Sequence, residues 1–273
     1  MAGSAPEQQA RPATPGPATV TWLGHGSALH ATAGDRILVD PVLRRRIAHL
    51  GRPDSVDPAH AREIDAVLLT HAHHDHLDRA SLRQVLRDSP EAVLVAPRGA
   101  ARLLRRSFPG ADVREVTTFD TVQVGSVEVA VVPAVHDGSR LHRRLAEGSA
   151  VGYVVDPDSG RSVWFAGDTE LSQELAHAGP VQCAMVPIGG WWRRLGPGHM
   201  DPERAAAAVD LVQAQVAVPV HWGTYHPLGL RRLMEPVWEH APRSFRHSVG
   251  LRSPATSVEV LRPGQALTLG VDT

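Results

Sequence analysis

Short apolar runs, rich in Val, Leu and Ala and closed by Gly, Asp, Pro or His, recur along this chain. Runs at 19–23, 28–33, 36–39, 65–69 and 92–96 have the length of strands and no helical period. Gly34-Asp35 is a turn signal, and Asp40-Pro41 ends the third run because Pro cannot continue a ladder. Segment 42–62 reads as an irregular excursion. In 79–87 the spacing changes: Leu82, Val85 and Leu86 share one helical face, with Asp78 placed as N-cap. Pro97 opens a second helix carrying Leu103 and Leu104. Strands are predicted at 113–116, 121–124 and 127–132, the last two joined at Gly125-Ser126, then at 152–155 and 162–165. A short helix at 170–177, a strand at 184–188, a helix at 202–212, a strand at 216–220 and a long helix at 228–240 follow. Strands at 258–261 and 266–269 close the chain. Meanders lead, strand–helix alternation follows, and the order recurs in the second half. That pattern argues α/β, and two mixed sheets with helices outside is an architecture it can adopt.

Composition narrows the class. Residues 1–18 are Ala-, Pro-, Gln- and Gly-rich without an apolar face and read as a disordered tail, leaving 19–273 as one folded unit. No signal peptide and no bilayer-spanning run is expected. The net charge is -1 and all 28 basic residues are Arg, so no global field argues for nucleic acid or an anionic membrane. The single cysteine, Cys183, excludes an intramolecular disulfide and fits a reducing cytoplasm; its apolar neighbours mark it as a small buried hydrophobe. The expected partner is a small-molecule substrate. Nothing in the pattern specifies an oligomeric state.

The stretch Thr70-His71-Ala72-His73-His74-Asp75-His76-Leu77-Asp78 places four imidazoles and two carboxylates at the mouth of the strand 65–69. In a core such crowding would be costly; around a cation it is useful. Imidazole and carboxylate suit Zn, Fe or Mn. His71 and His73 can point the same way, and a turn at His74 can bring Asp75 and His76 to a second ion. His136 ends the apolar run 129–135, with His142 as a competing choice nearby. Asp168, in Gly167-Asp168-Thr169, ends another run; its two oxygens can bridge two cations, or it can cap the next helix. His221 ends the strand 216–220.

His71-x-His73-x-Asp75-His76, followed in order by His136, Asp168 and His221, resembles the metal signature of the metallo-β-lactamase superfamily. Trp22-Leu23-Gly24-His25, Val39-Asp40-Pro41, His199-Met200-Asp201-Pro202 and Pro219-Val220-His221-Trp222-Gly223-Thr224 resemble most the branch of N-acyl-phosphatidylethanolamine phospholipase D and L-ascorbate-6-phosphate lactonase. The family pattern Pro-x-x-His matches Pro133-Ala134-Val135-His136 and selects His136. The resemblance implies an αββα sandwich, with His71, His73 and His136 on one metal, Asp75, His76 and His221 on the other, and Asp168 on both. The implied cofactors are two divalent ions, Zn2+ first, with Fe or Mn as alternatives. Asp75, Asp168 and His199 are the expected catalytic residues. Asp40 would orient a ligand imidazole; His25 and His199 would bind substrate or leaving group.

A dinuclear site of this kind lowers the pKa of bound water and removes the need for a Ser or Cys nucleophile. The implied activity is hydrolysis of an ester-like bond, phosphodiester or lactone. A metal-binding sensor or scaffold without turnover, and a nuclease of the same superfamily, stand as alternatives. In the loop 189–198, Trp191 and Trp192 sit among four glycines and form either a pocket wall or a cover for the sheet edge. Arg44-Arg45-Arg46 is open between a substrate clamp and a solvated loop.

Overall fold

A computed structural model describes residues 17–140, 148–190 and 195–270. The first half contains β1 (Ala18–Gly24), β2 (Ser27–Ala31), β3 (Arg36–Val39), β4 (Arg46–Ile47), β5 (Leu50–Gly51) and β6 (Ala66–Leu68), then α1 (Arg79–Asp88), β7 (Val93–Pro97), α2 (Arg98–Ser107) and β8 (Val113–Val116). The second half contains β9 (Thr121–Val124), β10 (Val127–Asp137), β11 (Ser149–Val155), β12 (Val163–Phe165), β13 (Cys183–Pro187), α3 (Pro202–Leu211), β14 (Val216–Val220), β15 (His226–Pro227), α4 (Arg231–Arg252), β16 (Ser257–Val258) and β17 (Ala266–Leu269). One sheet runs β17-β1-β2-β3-β6-β7-β8 and the other β16-β14-β13-β12-β11-β10-β9; a small sheet joins β15, β5 and β4.

Strand alternation builds three apolar layers. Trp22, Ile37, Val39 and Leu68 meet Val129, Tyr153, Phe165 and Met185 between the two large sheets. The opposite faces of the same strands pack outward: Leu38, Val67 and Leu69 against Leu82, Val85 and Leu104, and Trp164 and Val186 against Ala205, Val209 and Phe245. The result is the expected αββα sandwich. β3, β6, β7 and β8 are parallel, as are β12, β13 and β14. Their carboxyl ends therefore share one edge, where loops gather.

Asp78 caps α1, its side chain accepting from the Ser81 amide, and Asp201 caps α3 in the same way from Arg204. Four local expectations change. The helix at 170–177 is a 3-10 helix, Gln173–Ala178. The strand at 258–261 shortens to β16. Segment 42–62 contributes a hairpin, β4–β5, whose outer partner β15 pairs across 175 or more residues and has no local signal. α4 continues past 240 through Pro236 and Pro242. Met234, Trp238, Phe245 and Val249 bury one stripe along it, and that burial offsets a Pro cost of about 3 kcal/mol each. Trp191, Trp192 and His142, and the tail 1–16, lie outside the described residues.

Candidate metal centre

Asp40 follows β3, the His71–His76 stretch follows β6, His136 is the penultimate residue of β10, Asp168 follows β12 and His221 follows β14. Each strand delivers its donor to the shared edge between the sheets. Two of these residues, Asp40 (φ 43°) and His221 (φ 61°), adopt left-handed backbone, as does His25 (φ 53°) in the turn between β1 and β2. Such geometry costs about 1 kcal/mol or more per residue and persists where the surroundings enforce it.

The hydrogen bonds on the far sides of the rings fix which nitrogen faces inward. His76 Nδ1 donates to Asp40 Oδ2 (2.7 Å), and His71 Nδ1 donates to Thr70 Oγ1 (2.9 Å), which in turn donates to Asp40 Oδ2 (2.6 Å). His136 Nδ1 donates to the Gly198 carbonyl (2.9 Å) and His221 Nδ1 to the Gly189 carbonyl (3.0 Å). Four Nε2 lone pairs are thereby turned toward the centre. His71 Nε2 and His136 Nε2 each lie 3.1 Å from His73 Nδ1, and His76 Nε2 lies 3.1 Å from His221 Nε2. Lone pairs so close repel one another unless a cation or proton lies among them. Asp168 Oδ1 is buried without a hydrogen-bond partner, another acceptor awaiting a positive charge. The residues thus fit a divalent metal, and they form two groups, His71, His73, His136 and Asp168, and His25, Asp75, His76 and His221, which a third, Asp40, His71 and His76, links by sharing one residue with each. Asp168 reaches both, with Oδ2 at 3.8 Å from His71 Nε2 and 3.3 Å from His76 Nε2, and Oδ1 at 3.1 Å from His221 Nε2.

The electrostatics agree. Burial, then neighbouring His76, pushes His71 well below its usual range; burial takes His136 to about 4 and His221 to about 3, in each case against the pull of Asp168. These rings are neutral, as ligands must be. Burial raises the Asp168 carboxyl, but His221 and His76 prevail and hold it well below the carboxylate range. Burial lowers His76, but Asp168 and Asp40 prevail and draw positive charge to it.

Two expectations change in part. His25 cannot touch substrate: it is 1% exposed, and its Nε2 donates to Asp75 Oδ2 at 2.9 Å. Its left-handed turn points the ring inward, so it positions Asp75. The Arg44-Arg45-Arg46 run is no clamp at this centre. Arg44 pairs with Asp78 (2.6 and 2.8 Å), and Arg45 donates to the Pro53 carbonyl. His74 is exposed, against Arg140, and joins neither group. His199 lies beside the donors: its Nε2 is 3.3 Å from Asp168 Oδ2 and its Nδ1 donates to the Pro197 carbonyl (3.1 Å). Burial opposes a charge on it, but the hydrogen bond to Asp168 prevails and raises its pKa. Cys183 is buried, its thiol pushed up to about 12 by desolvation. Thr70 was not foreseen as a member; its only signal was adjacency to His71. A cleft of about 320 Å3 opens above the donors, lined by Ile47, Leu50, His73, His74, Asp75 and His199 among others.

Residues 35–222 match the Beta-lactamase superfamily domain. A UPF0173 metal-dependent hydrolase of Methanopyrus kandleri is 31% identical over 260 residues, covering 90% of this chain and 98% of its own. Among solved structures, the metallo hydrolase Igni18 of Ignicoccus hospitalis superposes with a TM-score of 0.71 at 23% identity, covering 93% of this chain and 99% of its own. CmlA, a diiron β-hydroxylase from Streptomyces venezuelae, shares the fold at a TM-score of 0.64 and 20% identity, over 94% of this chain and 54% of its own.

Proposed function

Since the chain belongs to the β-lactamase superfamily and is a metal-dependent hydrolase, we propose that it is a dinuclear enzyme cleaving an ester-like bond, phosphodiester or lactone, in a small molecule. The carrying observation is Asp168, whose two oxygens face both donor groups at once. His71, His73 and His136 would hold one ion, Asp75, His76 and His221 the other, and Asp168 would join them. When bound, the ions supply Lewis acidity and lower the pKa of a water molecule. Zn2+ fits this imidazole-rich set, and Fe or Mn is compatible with it.

The chain's own residues do the rest. Asp40 and the carbonyls of Gly189 and Gly198 fix the ring orientations. His25 holds Asp75. His199, at the cleft rim with both ring nitrogens facing acceptors, carries a proton at Nε2 that it can pass to a leaving oxygen. The cleft is of small-molecule size. We read 19–273 as one hydrolase unit, and the lone buried Cys183 as fitting the cytoplasm; among the described residues no helix is long and apolar enough to cross a membrane.

A screen of phosphodiesters, lactones and thioesters with metal-reconstituted protein tests this reading. Turnover of a phosphodiester or lactone that His199→Ala lowers by about 10²-fold or more supports it. Turnover confined to thioesters, or none at all with metals bound, would overturn it.

A further inference from the structure

The β4–β5 hairpin separates two cavities. Ile47 and Leu50 face the metal cleft, whereas Arg46 and Gly51 face the other side. There a cavity of about 480 Å3 is lined by Arg45, Arg46, Arg52, Arg231 and His226, with Leu228 and Pro53 as apolar wall. The two cavities share no lining residue.

Arg52 is the unusual member. It is 4% exposed, yet its Nε and Nη1 have no hydrogen-bond partner. Its Nη2 donates to the Leu23 carbonyl (2.7 Å), and its Cζ lies 5.8 Å from the Tyr225 ring centre. Among the described residues, no carboxylate lies within ion-pair distance of Arg45, Arg46 or Arg52; Arg231 alone has one, Glu235, at 3.0 Å in an exposed pair. His226 Nδ1 is likewise buried without a partner. A guanidinium withdrawn from water without a counter-charge is costly to keep. Three further cationic side chains converging on the same cavity raise that cost.

We propose that this cavity is a second binding site, taking a small molecule that carries a phosphate group. Guanidinium forks match phosphate oxygens in pairs, and Arg is the residue that uses this match. The volume exceeds that of a bare phosphate and falls in the range of small-molecule sites. Exposed Leu228 offers an apolar surface for the body of such a molecule. The assignment does not depend on which bond the metal centre cleaves. Arg52 holds the Leu23 carbonyl, two residues before His25, which holds Asp75.

The test is calorimetric titration of the metal-loaded full chain with inorganic phosphate and, separately, with phenylphosphonate, whose C–P bond resists hydrolysis. Ionic strength is held constant with chloride. The variants are Arg46→Gln/Arg231→Gln, both exposed and remote from the donors, and Arg52→Gln. Binding in the wild type that weakens at least about tenfold in the double variant, with metal content unchanged, is expected. Tighter phenylphosphonate would identify an organic phosphate as the occupant; equal affinities would identify phosphate itself. Identical isotherms in wild type and double variant would assign the anion to the metal centre and overturn the site, as would the absence of binding. If Arg52→Gln does not fold, the double variant still decides.

Discussion

Asp40 does the work of two residues. One of its oxygens accepts from the Thr70 amide (2.8 Å), and the other takes His76 directly and His71 through the Thr70 hydroxyl. The sequence marked Asp40 because an acid ended a buried strand, but the relay through Thr70 was invisible, since a hydroxyl beside a ligand has no distinctive spacing. The donors themselves were legible because His and Asp at such spacing have few other uses. The inward turn of His25 was not, because it depends on a left-handed φ that non-glycine residues rarely adopt. His30 presents the opposite case, a buried ring with both nitrogens unpartnered, and nothing in the structure explains it. Burial lowers its pKa to about 4. The unfolded chain therefore takes up a proton near pH 6.5 that the folded chain refuses until about pH 4, so stability falls as pH drops through that window. The loss is on the order of 3 kcal/mol. His30→Leu should flatten the fall between pH 6.5 and 4 in denaturant melts relative to wild type; equal slopes would show that His30 ionises as freely folded as unfolded.

At the scale of elements, the loop between β13 and α3 is tied to the donors at both ends. The Gly189 carbonyl accepts from His221, and the Gly198 carbonyl from His136. A Cβ at Gly198, whose φ is 76°, would lie 2.6 Å from His136 Nδ1, so glycine is required there. Trp191 and Trp192, outside the described residues, lie between these anchors in sequence, and we expect them to wall the substrate cleft. Trp191→Ala/Trp192→Ala should keep its metals, since no indole is a ligand, and raise KM or alter substrate preference. A lower Tm with unchanged kinetics would make the rings a sheet cover instead. α4 shows what element-level reading missed: the helix expected at 228–240 runs on to Arg252, because the buried stripe from Met234 to Val249 carries it through Pro236 and Pro242.

For the whole molecule, the pattern alone was legible as α/β and the αββα layering as what the resemblance implied; the structure bears it out in strands such as β3, β6 and β13, whose two faces are both apolar and both covered. The pairing of β1 with β17 and of β5 with β15 was not legible, since such contacts arise only once the chain has closed. Parallel strands in both sheets end at one edge, and that convergence assembles donors from residues 40 to 221 around Asp168. The central claim is that Asp168 joins two ions. Its most direct test is elemental analysis of protein purified without chelator, wild type beside Asp168→Ala. The account predicts about two equivalents of divalent metal per wild-type chain and loss of at least one in the variant, which should remain folded because the change lies at a strand end. A wild-type chain that holds no metal even after reconstitution, or a variant that retains the full complement, would contradict it.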